Sequence, residues 1–238
     1  MLSKSFMARV AEQAQNYDDM FNFVKDMLMS KGDSDFTIEE RNLLSTAFKN
    51  SIQADRRSMR VIEAVSVNKN FEKYQLQIKT FKKKIERNIT NQCVQIVKIC
   101  VNDCLPLAAN TESKAFFLKM IADYNRYQAE HSSMDSNQFE QMSKGAIEYY
   151  RKALDVARAD LNPSNPVLLG IALNLSIMHS DILGNRDLAM EISNMVCKEA
   201  QDHIEDFEGE DDFTDSRSLI ETMNENLRLW KEERDEEM

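Results

Sequence analysis

Two groups of basic residues have a spacing that could bind an anion. Lys49 and Arg56 stand in a stretch with helical periodicity, so they lie two turns apart, roughly 10.5 Å, on one helix face. Arg126 is followed directly by Tyr127 in a second such stretch, "FLKMIADYNRYQAE". Two arginine forks, a lysine and a tyrosine hydroxyl can together bind a phosphate dianion through charge-assisted hydrogen bonds. Spacing alone favours the alternative of a solvated basic face paired with neighbouring carboxylates.

No pattern typical of a catalytic site accompanies these cations. The sequence contains neither a glycine-rich phosphate loop nor a GxSxG motif. The histidines His131, His179 and His203 stand in three separate predicted elements, and no CxxC or HxxxH pair indicates a metal site. We therefore expect a protein that binds without catalysis, with no metal and no cofactor, and keep an enzyme as a remote alternative.

The charge balance limits the classes of partner. Lys and Arg number 30 against 40 Asp and Glu, a net charge of −10, which argues against nucleic acid and an anionic membrane surface as partners. No apolar run is long enough to predict membrane insertion, and the amphipathic N-terminus lacks a signal-peptide segment. Cys93, Cys100 and Cys104 share one helical face, which indicates core residues in a reducing compartment. We expect a cytoplasmic protein.

Long helices are expected to position the candidate residues. The chain has only five Gly and three Pro and is rich in strong helix formers, which predicts an all-α protein. Breaks in the periodicity predict nine antiparallel helices, at 3–16, 17–30, 37–67, 71–105, 111–130, 137–160, 167–183, 187–204 and 214–232. They form one domain over 1–232, followed by a short, frayed acidic tail at 233–238. "TIEE" and "TESK" predict capping boxes, and "EDFEGEDD" predicts an acidic loop before the ninth helix.

Two later helices carry polar residues on apolar faces. In "LGIALNLSIMHSDIL", Leu173, Ile177 and Asp181 follow at four-residue steps, and Asn174 interrupts the apolar run. A buried Asn needs hydrogen-bond partners, which can belong to the protein itself or to the backbone of an extended ligand. The ninth helix repeats the pattern near one face with Leu219, Met223, Asn226 and Trp230.

Five sequence blocks follow one another along the chain: "YDDM" at 17–20, "EERNLLSTAFKN" at 39–50, "ESKAFFLKMIADYNRYQAE" at 112–130, "LGIALNLS" at 169–176 and "ENLRLW" at 225–230. Together they resemble the 14-3-3 proteins, in order and over essentially the whole chain. The resemblance implies nine antiparallel helices that form a cup with a concave amphipathic groove, and two cups joined as a dimer. It also implies that phosphoserine or phosphothreonine segments bind in the groove.

The resemblance implies residue roles as well. The positions that match the family's phosphate pocket are Lys49, Arg56, Arg126 and Tyr127. Asn174 and Asn226 match asparagines that hold the bound peptide backbone. Other groove positions are matched by Lys119, Leu173, Ile177, Asp181, Leu219 and Trp230. Asp123 is then expected to be a carboxylate that positions the cations between ligands.

The groove wall departs from the family pattern. "DSRSLIETMNENLRLW" places Ser218 and Thr222 where apolar residues are usual. If each loses about 1–2 kcal/mol of apolar contact, the affinity for standard partners falls tenfold or more. We therefore expect intact phosphate recognition with altered or weakened selectivity for flanking residues.

The positions that match the family's dimer interface are Asn16, Asp19, Ser58, Phe81, Lys84 and Asn88. Asn16 and Asn88 stand in place of an arginine–glutamate pair, whereas Asp19 and Lys84 keep a second charged pair. A retained dimer, with itself or with a related subunit, is expected to be less sensitive to salt. Ser58 follows two arginines, and phosphorylation there would add a charge of about −1.5 to −2 near the interface.

The sequence thus predicts a phosphopeptide-binding dimeric adaptor that acts in signal transduction without catalysis. Ser218 and Thr222 keep a second interpretation open, a helical scaffold of the same fold that binds unphosphorylated acidic or amphipathic segments. Comparing a phosphopeptide with its unphosphorylated twin distinguishes the two interpretations.

Overall fold

The structure, a computed structural model, describes residues 2–132, 134, 136–203 and 210–236. These residues form nine α-helices and no strand, which confirms the all-α prediction. The helices are α1 (Leu2–Gln13), α2 (Tyr17–Met29), α3 (Ile38–Ser66), α4 (Gln75–Ile99), α5 (Thr111–Glu130), α6 (Asn137–Arg158), α7 (Pro166–Ile177), α8 (Arg186–Gln201) and α9 (Glu210–Glu236).

The capping box predicted for α3 is present, and the one predicted for α5 is wrong. Thr37 Oγ1 accepts the Glu40 N–H at 3.2 Å, and the Glu40 carboxylate accepts the Thr37 N–H at 2.9 Å. At α5 the side-chain oxygen of Asn110 accepts the Ser113 N–H at 2.8 Å, so Thr111 is already inside the helix. Asparagine ranks above threonine as an N-cap, which explains the earlier start.

Two predicted helices change their hydrogen-bonding pattern before they end. The fourth begins with a 3₁₀ segment at Lys69–Tyr74 and widens to a π-helix at Cys100–Cys104. Pro106, two residues later, has no N–H to continue the α-helical ladder. A second π segment, Met178–Ile182, follows α7. The predictions of an uninterrupted α-helix over 71–105 and of another over 167–183 are therefore wrong at the ends of these helices.

The last helix is longer than predicted at both ends. It begins at Glu210 and continues to Glu236, so the prediction of a tail frayed from 233 is wrong for the described part. Arg186 of α8 pairs with Glu233 at 3.1 Å, which stabilises this end of α9. The predicted acidic loop at 205–212 lies outside the described residues, except for its last three, which are the first residues of α9.

The chain divides into two units, of which the first comprises residues 1–109 and 127–140. Its buried core is supplied mainly by one face each of α2, α3 and α4: Met20, Val24, Met27, Leu44, Phe48, Ile52, Met59, Ile89 and Ile96. Cys93, Cys100 and Cys104 are free and buried there, which confirms them as core residues. Burial raises the pKa of the Cys93 thiol to about 12, so this thiol is protonated and unreactive at neutral pH.

The second unit comprises residues 110–126 and 141–238. Its core is formed by α5 to α9 and includes Phe117, Ile121, Tyr150, Leu169, Ile171, Met223 and Trp230. Helix α7 is apolar on nearly all sides, as expected for a helix surrounded by other helices. Helix α5 contributes its first 16 residues, through Arg126, to this unit and its last residues, from Tyr127, to the first.

Candidate functional site

In the first unit, Arg56 of α3 lies against the end of α5. Its Nη2 donates to both carboxylate oxygens of Glu130, at 3.0 and 3.3 Å, and its guanidinium carbon lies 4.1 Å from the centroid of the Tyr127 ring. The ion pair and the stacking contact hold the guanidinium in place. Lys49 lies two turns earlier on α3, is exposed, and forms no ion pair with a described carboxylate.

In the second unit, Asp123 of α5 is the centre of a hydrogen-bonded cluster. Its carboxylate accepts from Lys119 Nζ at 2.8 Å, from Asn174 Nδ2 at 2.6 Å and from the Tyr150 hydroxyl. Arg126 donates from Nε to the Tyr150 oxygen at 3.1 Å and places Nη2 3.9 Å from the carboxylate. Asp123 is therefore in contact with both cations that share its helix face.

The charges in this cluster keep Asp123 ionised. Burial alone would raise its pKa, but the charges of Lys119 and Arg126 and the hydrogen bonds from Lys119 and Tyr150 outweigh burial and lower the pKa from 3.8. Burial, and then the charge of Asp123, raise the pKa of Tyr150 well above 10, so its hydroxyl stays protonated and donates. The cluster thus holds one anion and two cations together through ion pairs and hydrogen bonds.

Sequence reasoning did not identify Tyr150, which joins Arg126 to Asp123. A signal was available, because Tyr150 lies on the buried face of α6 with Ala146, Ala153 and Ala157, where a hydroxyl needs a partner. The identity of that partner depends on which helix faces α6, and local spacing does not specify it.

The α7 candidates occupy different environments. The Asn174 amide bonds to Asp123, so the protein itself supplies a partner for this side chain. Its Oδ1 accepts no hydrogen bond from a described residue. Leu173 is buried, Ile177 is half-buried, and Asp181 is exposed within the π segment.

The α9 candidates also differ in exposure. Leu219 and Asn226 are half-buried, whereas Trp230 is buried against Ala189, Met190 and Leu227. The two departures from the family pattern, Ser218 and Thr222, are both exposed, and the Thr222 hydroxyl donates to the Ser218 carbonyl at 2.8 Å.

Several of the predicted dimer residues make contacts within the chain. Asn16 caps α2, accepting the Asp19 N–H at 3.3 Å and donating to the Asp19 carboxylate at 2.7 Å. Burial raises the pKa of Asp55, and a hydrogen bond from Asn88 and the charge of Lys84 partly offset that rise. Two further predicted dimer residues are Ser58, which is half-buried, and Phe81, which is exposed.

The described residues thus define an all-α protein in which Arg56 and Arg126 each lie beside a carboxylate. A family model for the 14-3-3 protein matches residues 7–231. The chain is 35% identical to 14-3-3 protein 2 of Solanum lycopersicum over 94% of its own length and 89% of the relative's. It is 34% identical to 14-3-3-like protein F of Nicotiana tabacum, over 98% and 90% of the two chains. It is also 34% identical to 14-3-3-like protein G-BOX factor 14 lambda of Arabidopsis thaliana, over 98% and 94%. The chain therefore belongs to the 14-3-3 family.

Family membership supports a general adaptor role based on phosphopeptide binding. Members of the family are non-catalytic adaptors that bind phosphorylated clients and dimerise. None of the helices in the described ranges is long and apolar enough to cross a membrane. Within those ranges, no group of His, Cys, Asp and Glu side chains is arranged to hold a metal ion.

Proposed function

We propose that this chain is a dimeric adaptor that binds phosphoserine and phosphothreonine segments of client proteins without catalysis. The observation that carries the proposal is the pair of fixed guanidinium groups. Arg56 is held by Tyr127 and Glu130, and Arg126 is held by Tyr150. Groups ordered in advance lose less conformational entropy when a ligand binds.

The phosphate would be bound by Lys49, Arg56, Arg126 and the Tyr127 hydroxyl. A phosphate dianion carries more charge than the Glu130 carboxylate, so it can displace or share that partner of Arg56. Asp123 would hold Arg126 in position in the free protein, because the lowered pKa keeps its carboxyl group ionised at neutral pH.

The flanking peptide would be held by asparagines and an apolar wall. The Oδ1 atom of Asn174 can accept a peptide N–H, and half-buried Asn226 can do the same from α9. Leu219 and Ile177 supply partly exposed apolar surface. Lys119, Leu173, Asp181 and Trp230 are the remaining groove positions in this proposal. The exposed hydroxyls of Ser218 and Thr222 would weaken binding of apolar flanking residues and alter selectivity.

Dimerisation, with itself or with a related subunit, is supported by exposed apolar residues of the first unit. Phe6 is 64% exposed, Val61 62% and Phe81 52%. Val61, Phe81 and Ser58 line a cavity of about 440 Å³. A second subunit would bury this apolar surface, and a dimer would offer two sites at high effective concentration. The four free, buried cysteines agree with a cytoplasmic location.

Fluorescence anisotropy with a labelled phosphoserine peptide tests the arginine roles. Arg56→Ala and Arg126→Ala are each expected to weaken binding about 10- to 100-fold, the loss of one charge-assisted contact. Arg126→Lys keeps the positive charge but removes the guanidinium fork. It therefore controls for misfolding caused by truncating the side chain in Arg126→Ala. Arg158→Ala, which removes a surface ion pair with Glu199, should leave the affinity unchanged. Binding of wild-type strength by both alanine variants would overturn the proposal.

A further inference from the structure

A groove in the first unit has basic character that contrasts with the acidic chain. It has a volume of about 910 Å³ and is lined by α4, the end of α3, the last residue of α5 and the residues that follow it as far as Gln138 of α6. We call it the α4 groove. Its cations are Lys79, Lys82, Lys83 and Arg87, and its carboxylates are Glu63, Glu86 and Glu130.

Two of the three carboxylates already have cationic partners. Glu63 pairs with Lys82 at 3.1 Å, and Glu130 pairs with Arg56 at 3.0 Å. Among the described residues, Lys79, Lys83 and Arg87 form no ion pair. Four cations and three carboxylates give the lining of the α4 groove a net charge of +1, on a chain whose net charge is −10.

The three unpaired cations form a regular row. Lys79, Lys83 and Arg87 follow at four-residue intervals on α4, so they are spaced about 6 Å apart along one face. Like charges at this spacing destabilise a helix, and all three side chains are exposed. The centre of the row lies roughly 130° around α4 from the centre of the predicted dimer residues Phe81 and Lys84, so the row faces mainly away from them.

The row fits one chemical class of ligand. Alternate residues of an extended peptide are about 6.6 Å apart and point to the same side. An extended segment with Asp or Glu at alternate positions can therefore place one carboxylate opposite each cation.

We propose that the α4 groove binds an acidic segment of a client protein that flanks the phosphorylated residue. Glu130 connects the α4 groove with the proposed phosphate site, because it lines the groove and pairs with Arg56. The inference rests on the proposed function and names the class of client that the site prefers. We do not expect binding in the α4 groove by a peptide whose flanking residues are neutral.

Paired phosphopeptides test this inference. Each contains one phosphoserine core, extended on either side by Asp-X-Asp-X-Asp in one peptide and by Asn-X-Asn-X-Asn in its twin. The acidic peptide is expected to bind about fivefold more tightly at 50 mM salt, with the advantage largely lost at 500 mM. In the triple variant Lys79→Gln, Lys83→Gln, Arg87→Gln the ratio of the two Kd values should fall to one. Lys152→Gln, on an exposed face of α6, is the control and should keep the ratio.

The outcomes separate this inference from the proposed function. If the unextended phosphoserine core binds and the two extensions bind equally, the groove inference is overturned and the proposed function stands. The inference is also overturned if the triple variant still binds the acidic peptide more tightly than its twin. The cations that attract the acidic peptide would then lie elsewhere. If the core fails to bind, the proposed function and this inference fall together.

Discussion

Asp123→Asn should markedly destabilise the protein, because this carboxylate lies in a largely buried cluster of ion pairs and hydrogen bonds. The carboxylate accepts from Lys119, Asn174 and Tyr150, and it faces Arg126 at 3.9 Å. An asparagine has nearly the same shape as aspartate, but an NH2 group replaces one carboxylate oxygen. This NH2 group would then face groups that are themselves hydrogen-bond donors. It also removes the carboxylate that faces the buried Arg126 charge.

The size of the effect follows from burial. Removing one partner of a buried ion pair costs about 3–5 kcal/mol. The Lys119 side chain is 24% exposed, so water compensates part of its loss. We therefore expect a loss of about 3 kcal/mol in the free energy of unfolding. At about 2–4 °C per kcal/mol for a chain of this size, the Tm should fall by about 6–12 °C.

The pH dependence gives the same test a second readout. The pKa of Asp123 is lowered from 3.8 in the folded protein, so the unfolded chain takes up the proton first as the pH falls. The stabilisation is present above pH 3.8 and is lost as the pH falls through the lower folded pKa. The difference in Tm between wild type and Asp123→Asn should therefore narrow below pH 3.8.

Urea denaturation at pH 7, with melting curves at several pH values, measures both quantities. Glu148→Gln is the matched control, since Glu148 also pairs with a lysine four residues away, Lys152 at 2.7 Å, but on an exposed surface. It should produce no measurable change in Tm. A loss below about 1 kcal/mol for Asp123→Asn would refute the conclusion that this carboxylate stabilises the cluster.

Three further predictions concern other parts of the fold. Thr37→Ala should cost about 1 kcal/mol in urea denaturation by removing the α3 cap, and Thr37→Ser should restore most of it; equal losses would contradict the cap's role. Trp230→Ala should cost about 3–5 kcal/mol, because the indole is buried against α8 and α9 residues; a loss under about 1 kcal/mol would exclude this packing. Burial, and then the charge of Arg151, lower the pKa of His179 from 6.5, so stability should fall as the pH drops below 6.5. His179→Gln should reduce that pH dependence in thermal melts, and an unchanged dependence would exclude His179 as its source.

The sequence predicted the features that depend on neighbours along the chain. The Thr37 cap needs only a glutamate three residues later, and scarce breakers were enough to predict nine helices. The contacts of Asp123 with Lys119 and Arg126 follow from four- and three-residue spacing on one helix.

The features that the sequence did not predict depend on distant residues or on competition. Tyr150 reaches Asp123 from another helix, so its role depends on tertiary packing. Asn110 displaced the predicted cap at Thr111, because two capping residues stand side by side and the stronger one forms the bond. Nothing in the sequence before Pro106 marks where the helix widens to its π form.

The central claim is that the fixed arginines recognise a phosphate group. Isothermal titration of the wild-type protein with a phosphoserine peptide and its unphosphorylated twin tests it most directly. Contacts to two arginines, at about 1.5–3 kcal/mol each, predict an affinity at least about 100-fold higher for the phosphopeptide. Equal affinities for the two peptides would contradict the claim and favour a scaffold that binds unphosphorylated segments.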